Sequence, residues 1–161
     1  MTAFPPHTDL RAYRAALGTF ATGVTIITIN TDNGPMGITA NSFASVSLDP
    51  PLILWSPAKS SSRFAAFQSA ARFAVHVLSD SQSVVATAFT RSKDAFDGLD
   101  WSLSGAGTPI IPGCLARFDC ATHAQHDAGD HLIILGLVQD VIRLDGAPLV
   151  FHAGRFGGFQ G

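Results

Sequence analysis

The sequence predicts a mainly β (α+β) protein, an antiparallel barrel with two or three short helices beside it. Three observations lead there. Short runs of β-branched and apolar residues recur along the chain, divided by turns rich in Gly, Pro, Asn and Asp. Helical periodicity is confined to brief stretches. Strands and helices do not alternate regularly, which disfavours a doubly wound nucleotide-binding fold. Six or more antiparallel strands of this kind satisfy their edges best by closing on themselves.

The elements follow in order. Leu10, Tyr13, Leu17 and Phe20 recur at helical spacing, with Asp9 or Thr8 placed to cap the start and Gly18 and Gly23 to end the helix. VTIITIN (24–30) is a strand, Asp32-Asn33-Gly34 a hairpin turn, and residues 36–42 the returning strand. Residues 45–48 form a short strand, Asp49-Pro50-Pro51 turns the chain, and the unbroken apolar run 52–56 is a buried strand. Ser60-Ser61-Ser62 offers caps for a helix carrying Phe64, Phe67 and Ala71. Residues 73–78 form a strand with Phe73, Val75 and Val77 on one face. Asp80 or Ser81 caps a second short helix through Val84, Val85, Ala88 and Phe89. Residues 90–113 read as an irregular loop, and a loop of that length in a compact domain is usually functional or covered by a partner. The end is strand: 115–125, 131–145 with Gly136 as its bending point, and 149–151.

At 161 residues the chain has the size of one domain, with a core from about residue 10 to 157. Hydrophobic residues make up 47% and charged ones 14%, which argues against disorder and hints at an obligate partner. The net charge is −2, and no stripe of Lys and Arg is present to neutralise phosphates, so nucleic acid is not an expected partner. The opening MTAFPPHTDLRAYR has no apolar signal core, and the run 132–138 is too short to span a bilayer. A cytoplasmic protein without a membrane partner is expected. Cys114 and Cys120 suit neither a disulfide framework nor a zinc site.

Several chemistries lack their motifs. There is no GxxxxGK[ST] phosphate loop and no GxSxG nucleophile elbow. Gly105-Ala106-Gly107 has no third glycine and follows no strand, so it is not a dinucleotide fingerprint. His123, His126 and His131 match no common zinc spacing, and hairpin-tip histidines are the favoured reading; no metal is expected. Cys120 reads as a core residue.

The most informative segment is GITANSFASVSLDPP (37–51). It places short hydroxyl and amide residues where a buried strand would carry Val or Ile. Such side chains let a flat ligand approach the backbone and bond to it. A solvated edge with turn-forming residues fits the same pattern, and physics alone leaves both open.

This segment, together with Phe20-Ala21-Thr22-Gly23-Val24-Thr25 and Gly129-Asp130-His131, resembles the flavin reductase family, the small reductase components of two-component flavin monooxygenases. Further points of likeness are the F-x-V-x-V-L strand from Phe73 to Leu78, Phe89 in its helix, Cys120 on its strand, and Pro148-Leu149-Val150-Phe151. The likeness runs from about residue 13 to 157. It implies an antiparallel Greek-key split β-barrel with short flanking helices, a homodimer holding one flavin per subunit near the interface. FMN or FAD is the implied cofactor, NADH or NADPH the co-substrate, and a flavin-dependent monooxygenase component the partner that receives reduced flavin.

Carried over by position, Thr39, Ala40, Asn41, Ser42, Ser45, Val46 and Ser47 line the isoalloxazine ring and ribityl chain. Lys59 to Ser62 falls on the family's phosphate-binding turn, where Ser62 can also serve as a plain N-cap. Phe89 and Arg91 lie near the phosphate or, in FAD, the adenylate; a surface role for Arg91 competes. His131 resembles the family histidine where nicotinamide docks, with Asp130 to orient it, and a structural histidine is the competing reading. Phe156 stands where Tyr is commoner, so stacking is kept and a hydroxyl role lost. The implied chemistry is hydride transfer from nicotinamide C4 to flavin N5, which asks the protein for orientation rather than for a nucleophile. Competing functions are a flavin-binding electron carrier without nicotinamide turnover, an oxidase of the pyridoxamine-phosphate type, disfavoured by the sparse Arg and Lys, and a haem barrel, for which no histidine is placed as axial ligand.

Overall fold

A computed structural model describes residues 3–92 and 95–159. After a 3-10 turn at Pro6–Thr8 comes helix α1 (Leu10–Leu17), capped by the Asp9 carboxylate, which accepts from the Ala12 amide at 2.9 Å. The chain then forms β1 (Thr22–Gly23), β2 (Thr25–Thr31), β3 (Gly34–Ala40), β4 (Ala44–Leu48) and β5 (Pro51–Trp55). Helix α2 (Phe64–Ser69), β6 (Arg72–Val77) and helix α3 (Ser83–Arg91) follow. The second half holds the small hairpin β7 (Ser102–Leu103) and β8 (Pro109–Ile110), the long hairpin β9 (Ala116–Ala128) and β10 (His131–Arg143), and the terminal hairpin β11 (Leu149–His152) and β12 (Arg155–Gly158).

Seven strands make one antiparallel sheet in the order β3-β2-β6-β9-β10-β5-β4. Its two outermost strands, β3 and β4, are consecutive in the chain and joined through Asn41, Ser42 and Phe43 alone. So short a link brings the two edges of the sheet together. The sheet therefore curls into a barrel whose split lies between β3 and β4. The Ser42 hydroxyl accepts from the Ser56 amide at 2.9 Å and pins the link to the end of β5.

The barrel is filled by Ile27, Ile29, Ile53, Trp55, Phe73, Val75, Cys120, Leu132 and Ile134, and α2 adds Phe67, whose ring meets Trp55 edge-on at 5.2 Å. A second cluster, Val24, Ile26, Leu78, Ala86, Phe89, Phe96, Ile111 and Leu149, seats α3. Strands β2 and β6 lie between the two clusters and are buried on both faces, so even Thr25, Thr28 and His76 within them are buried. Buried Asp119 accepts from the Thr108 hydroxyl and from Arg117 Nε at 2.9 Å, and Thr28 donates to the Pro109 carbonyl at 2.7 Å. These bonds hold β8 and the residue before it down on β2 and β9.

Some expectations are corrected. Helix α2 ends at Ser69, before Ala71, and Arg63 rather than Ser62 occupies its N-cap, without a side-chain cap bond. The turn ahead of α3 begins at Ser79, whose amide donates to the Gln82 side chain at 3.0 Å, instead of at Asp80 or Ser81. The 90–113 stretch contains the β7–β8 hairpin; Lys93 and Asp94 within it lie outside the described residues. Strand β12 was not anticipated, because Arg155-Phe156-Gly157-Gly158 has little strand propensity and is set by pairing with β11. Among the described residues no helix is long and apolar enough to cross a membrane.

Candidate functional site

Where β3 ends, Thr39 and Ala40, still paired with Ile26 and Thr25 of β2, and Asn41 just beyond them lie beside the outer face of α3. On that face Thr87, Thr90 and Arg91 follow at i, i+3 and i+4, the spacing that places three side chains side by side. Phe151 on β11 and Phe156 on β12 stand opposite each other in register, their ring centroids 5.5 Å apart. With Val24 as floor, these nine residues enclose a cleft of about 380 Å³. A second lobe of about 570 Å³ continues along α3, lined by Ser83, Val84 and Ala88, and shares Thr87, Arg91 and Phe156 with the first. Both volumes fall in the range of small-molecule sites.

The walls are fixed from behind. Thr39 Oγ1 donates to the Ala86 carbonyl at 2.6 Å, tying β3 to α3. Phe89 is wholly buried, its ring against Gly37 and Phe96, and supports the cleft without lining it. Arg91 is exposed and makes no ion pair among the described residues, so its guanidinium is free at the cleft. An aromatic pair, short hydroxyls, main chain at the end of an edge strand and one free cation are thus gathered in one place.

A second group lies at the β9–β10 turn. His131 opens β10, half-exposed, with Nδ1 2.7 Å from the Asp130 carboxylate. That hydrogen bond, then the charge of His131, holds the Asp130 carboxyl below the usual carboxylate range. The Lys59 amide donates to the Asp130 carbonyl at 2.9 Å, and Ala58 bridges to His131. The Lys59 ammonium is bonded to the Asp127 carboxylate and, at 2.7 Å, to the Gly129 carbonyl.

The expected residues therefore separate. Thr39, Ala40, Asn41, Arg91 and Phe156 come together in the cleft, with Ser42 next to them. Ser45, Val46 and Ser47 lie on β4 across the split, with Val46 at a register shift and exposed. Lys59 and His131 share the β9–β10 turn, and Ser62 stands exposed at the surface. Sequence reasoning missed Thr87, Thr90, Phe151 and Arg63. The hydroxyl spacing of Thr87, Thr90 and Arg91 was a usable signal; Arg63, which bonds only to backbone carbonyls, left none.

Comparison with known proteins bears on this arrangement. The family described as flavin reductase like domain matches residues 17–160. A protein named FMN reductase (NADH) SmoA, from Agrobacterium fabrum, is 57% identical over 97% of this chain and 90% of its own. The reductase subunit HsaB of a flavin-dependent monooxygenase, from Mycobacterium tuberculosis, is 40% identical over 94% of this chain and 83% of its own. Among solved structures, the NADH:FAD oxidoreductase SgcE6 of Streptomyces globisporus, in complex with NAD and FAD fragments, superposes with a TM-score of 0.93. It is 38% identical, covering 99% of this chain and 98% of that one.

Proposed function

The chain belongs to the flavin reductase like domain family, and from that premise we propose that it reduces FMN or FAD with NADH or NADPH and hands the reduced flavin to a monooxygenase component. The chain is an oxidoreductase, as its relatives by name are. The observation that carries the reading is the cleft between β3, α3 and the β11–β12 hairpin.

The residues present fit a flavin. Backbone groups of Thr39 to Asn41 are available to the polar edge of a flat ring, and Phe156 offers a face for stacking. Arg91 supplies a fork for a phosphate, and no carboxylate among the described residues already holds it. When bound, flavin accepts a hydride from the nicotinamide, and that redox chemistry belongs to the two cofactors. The chain's part is to hold one ring against the other and to exclude water between them. Ser42 and the β4 residues Ser45, Val46 and Ser47 border the split beside this cleft. His131, oriented by Asp130, is assigned to the nicotinamide. Lys59 and Ser62 stay as ligands for the distal phosphates, and Lys59 must then exchange its present bonds to Asp127 and Gly129. Phe89 acts from behind the wall. Two copies of the chain form the working unit, since the apolar face of α1 is uncovered in one copy.

The test is a titration with FMN and FAD followed by anaerobic mixing with NADH or NADPH. Bleaching of the flavin with matching nicotinamide oxidation is expected. Binding without bleaching would instead indicate an electron carrier, and binding of neither flavin would overturn the assignment.

A further inference from the structure

The Arg63 side chain spans three carbonyls on two elements. Its Nη1 donates to Gly37 O and to Phe89 O, each at 2.7 Å, and its Nη2 donates to Thr90 O at 3.2 Å. Gly37 lies on β3, an outermost strand of the sheet, and Phe89 and Thr90 belong to the last turn of α3, whose carbonyls lack intrahelical partners. A guanidinium is suited to both, because its donors are fixed in a planar fork and its charge is favourable at a helix C-terminus.

The two clamped elements are the opposing walls of the cleft. Two residues beyond Gly37 come Thr39, Ala40 and Asn41; immediately after Phe89 come Thr90 and Arg91. The same walls are pressed together by the Phe89 ring, which lies so close to Gly37 that a Cβ there would fall 2.5 Å from it. We propose that Arg63 is a positioning residue that sets the spacing of β3 and α3, and with it the width of the flavin cleft. This rests on the flavin reading given above. Arg63 itself touches no ligand; it acts through Gly37, Phe89 and Thr90.

Arg63→Lys keeps the charge but replaces the planar fork with one compact ammonium. Arg63→Gln substitutes a neutral amide NH2 donor and removes the charge. Both are to be compared with wild-type protein for binding of riboflavin and FMN by fluorescence titration, for KM and kcat, and for thermal midpoint. The expected result is folded protein with about tenfold weaker binding of both flavins in both variants. KM for flavin rises, and KM for NADH is unchanged.

Four results overturn the proposal. Unchanged flavin affinity with a lowered thermal midpoint marks a merely structural arginine. Weakened FMN binding with normal riboflavin binding marks a phosphate ligand. Full recovery in the Lys variant marks a charge effect. Failure of both variants to fold marks a residue the barrel itself requires. Wild-type protein that binds no flavin sinks the functional reading instead, and the wild-type arm of the titration reads that separately.

Discussion

His76 sits in β6, wholly buried, opposite Ile26 and Arg117. Nδ1 is 3.1 Å from the Ile26 carbonyl and must carry the proton, because a carbonyl only accepts. Nε2 has no partner among the described residues. Burial is the main cause that takes its pKa from 6.5 down to about 4, and Arg117 adds to the lowering. The Ile26 bond and Asp119 oppose it. The folded ring is therefore neutral where an unfolded one begins to charge. Stability from this site is complete above the unfolded pKa and is lost as pH falls from there toward about 4. Urea unfolding should show a loss of about 2 kcal/mol between about pH 7 and pH 5. His76→Asn should remove most of that slope; an unchanged slope would place the proton uptake elsewhere. His131 poses a different question, since it is half-exposed and paired with Asp130. His131→Ala should raise KM for the nicotinamide about tenfold or more, with flavin affinity nearly unchanged. Lost flavin binding with normal hydride transfer from residual complex would refute that role.

Elements carry the next set of constraints. Strands β9 and β10 each run for thirteen residues, and the pairing slips at Leu135/Gly136 and again between Val138 and Asp140. Such bulges sharpen the twist that lets a long hairpin wrap a barrel. Gly136 is needed for a steric reason: a Cβ there would fall 2.5 Å from Phe73 Cζ and 3.0 Å from Cys120 Cβ, both in the core. Gly136→Ala should cost about 2 kcal/mol of unfolding free energy, seen as a lowered denaturant midpoint, with flavin affinity of the folded protein retained. The bend at Gly136 was legible because a lone glycine interrupts an apolar strand. So was the turn at Asn33-Gly34, and so was the segment Thr39 to Asn41 as a place of small polar residues at a strand's end, which here lines the cleft. The rest of the cleft was not, for a physical reason. Phe151, Thr87 and Arg63 are ordinary residues of a strand, a helix and a turn, and only tertiary pairing of β11 with β12 and of α3 with β3 gives them a common site. Strand β12 fails for the same reason: two glycines give no local preference, and the ladder to β11 decides.

At the scale of the whole molecule, one surface does not suit a lone chain. Helix α1 buries none of its residues, yet Leu10, Tyr13 and Leu17 form an apolar face on it, and Phe20 beyond it is 78% exposed. Periodic apolar residues on a helix signify burial against something, and nothing among the described residues covers them. A second copy is the occupant that the composition favours, because so weakly charged a chain has few groups to keep such a face in water. The separation of the site residues points the same way. The cleft with Thr39, Arg91 and Phe156 and the turn with Lys59 and His131 are distinct groups within one chain, and a flavin flanked by both is most simply completed at an interface. Sedimentation equilibrium should therefore give a mass near twice 16.9 kDa. Leu10→Lys combined with Leu17→Lys should yield a folded monomer with its β-sheet spectrum intact. Flavin affinity in that monomer should drop by about tenfold or more, because interface loss removes part of the wall. A variant that stays dimeric would move the interface off α1, and a monomer with undiminished flavin turnover would show that a single chain holds the entire site.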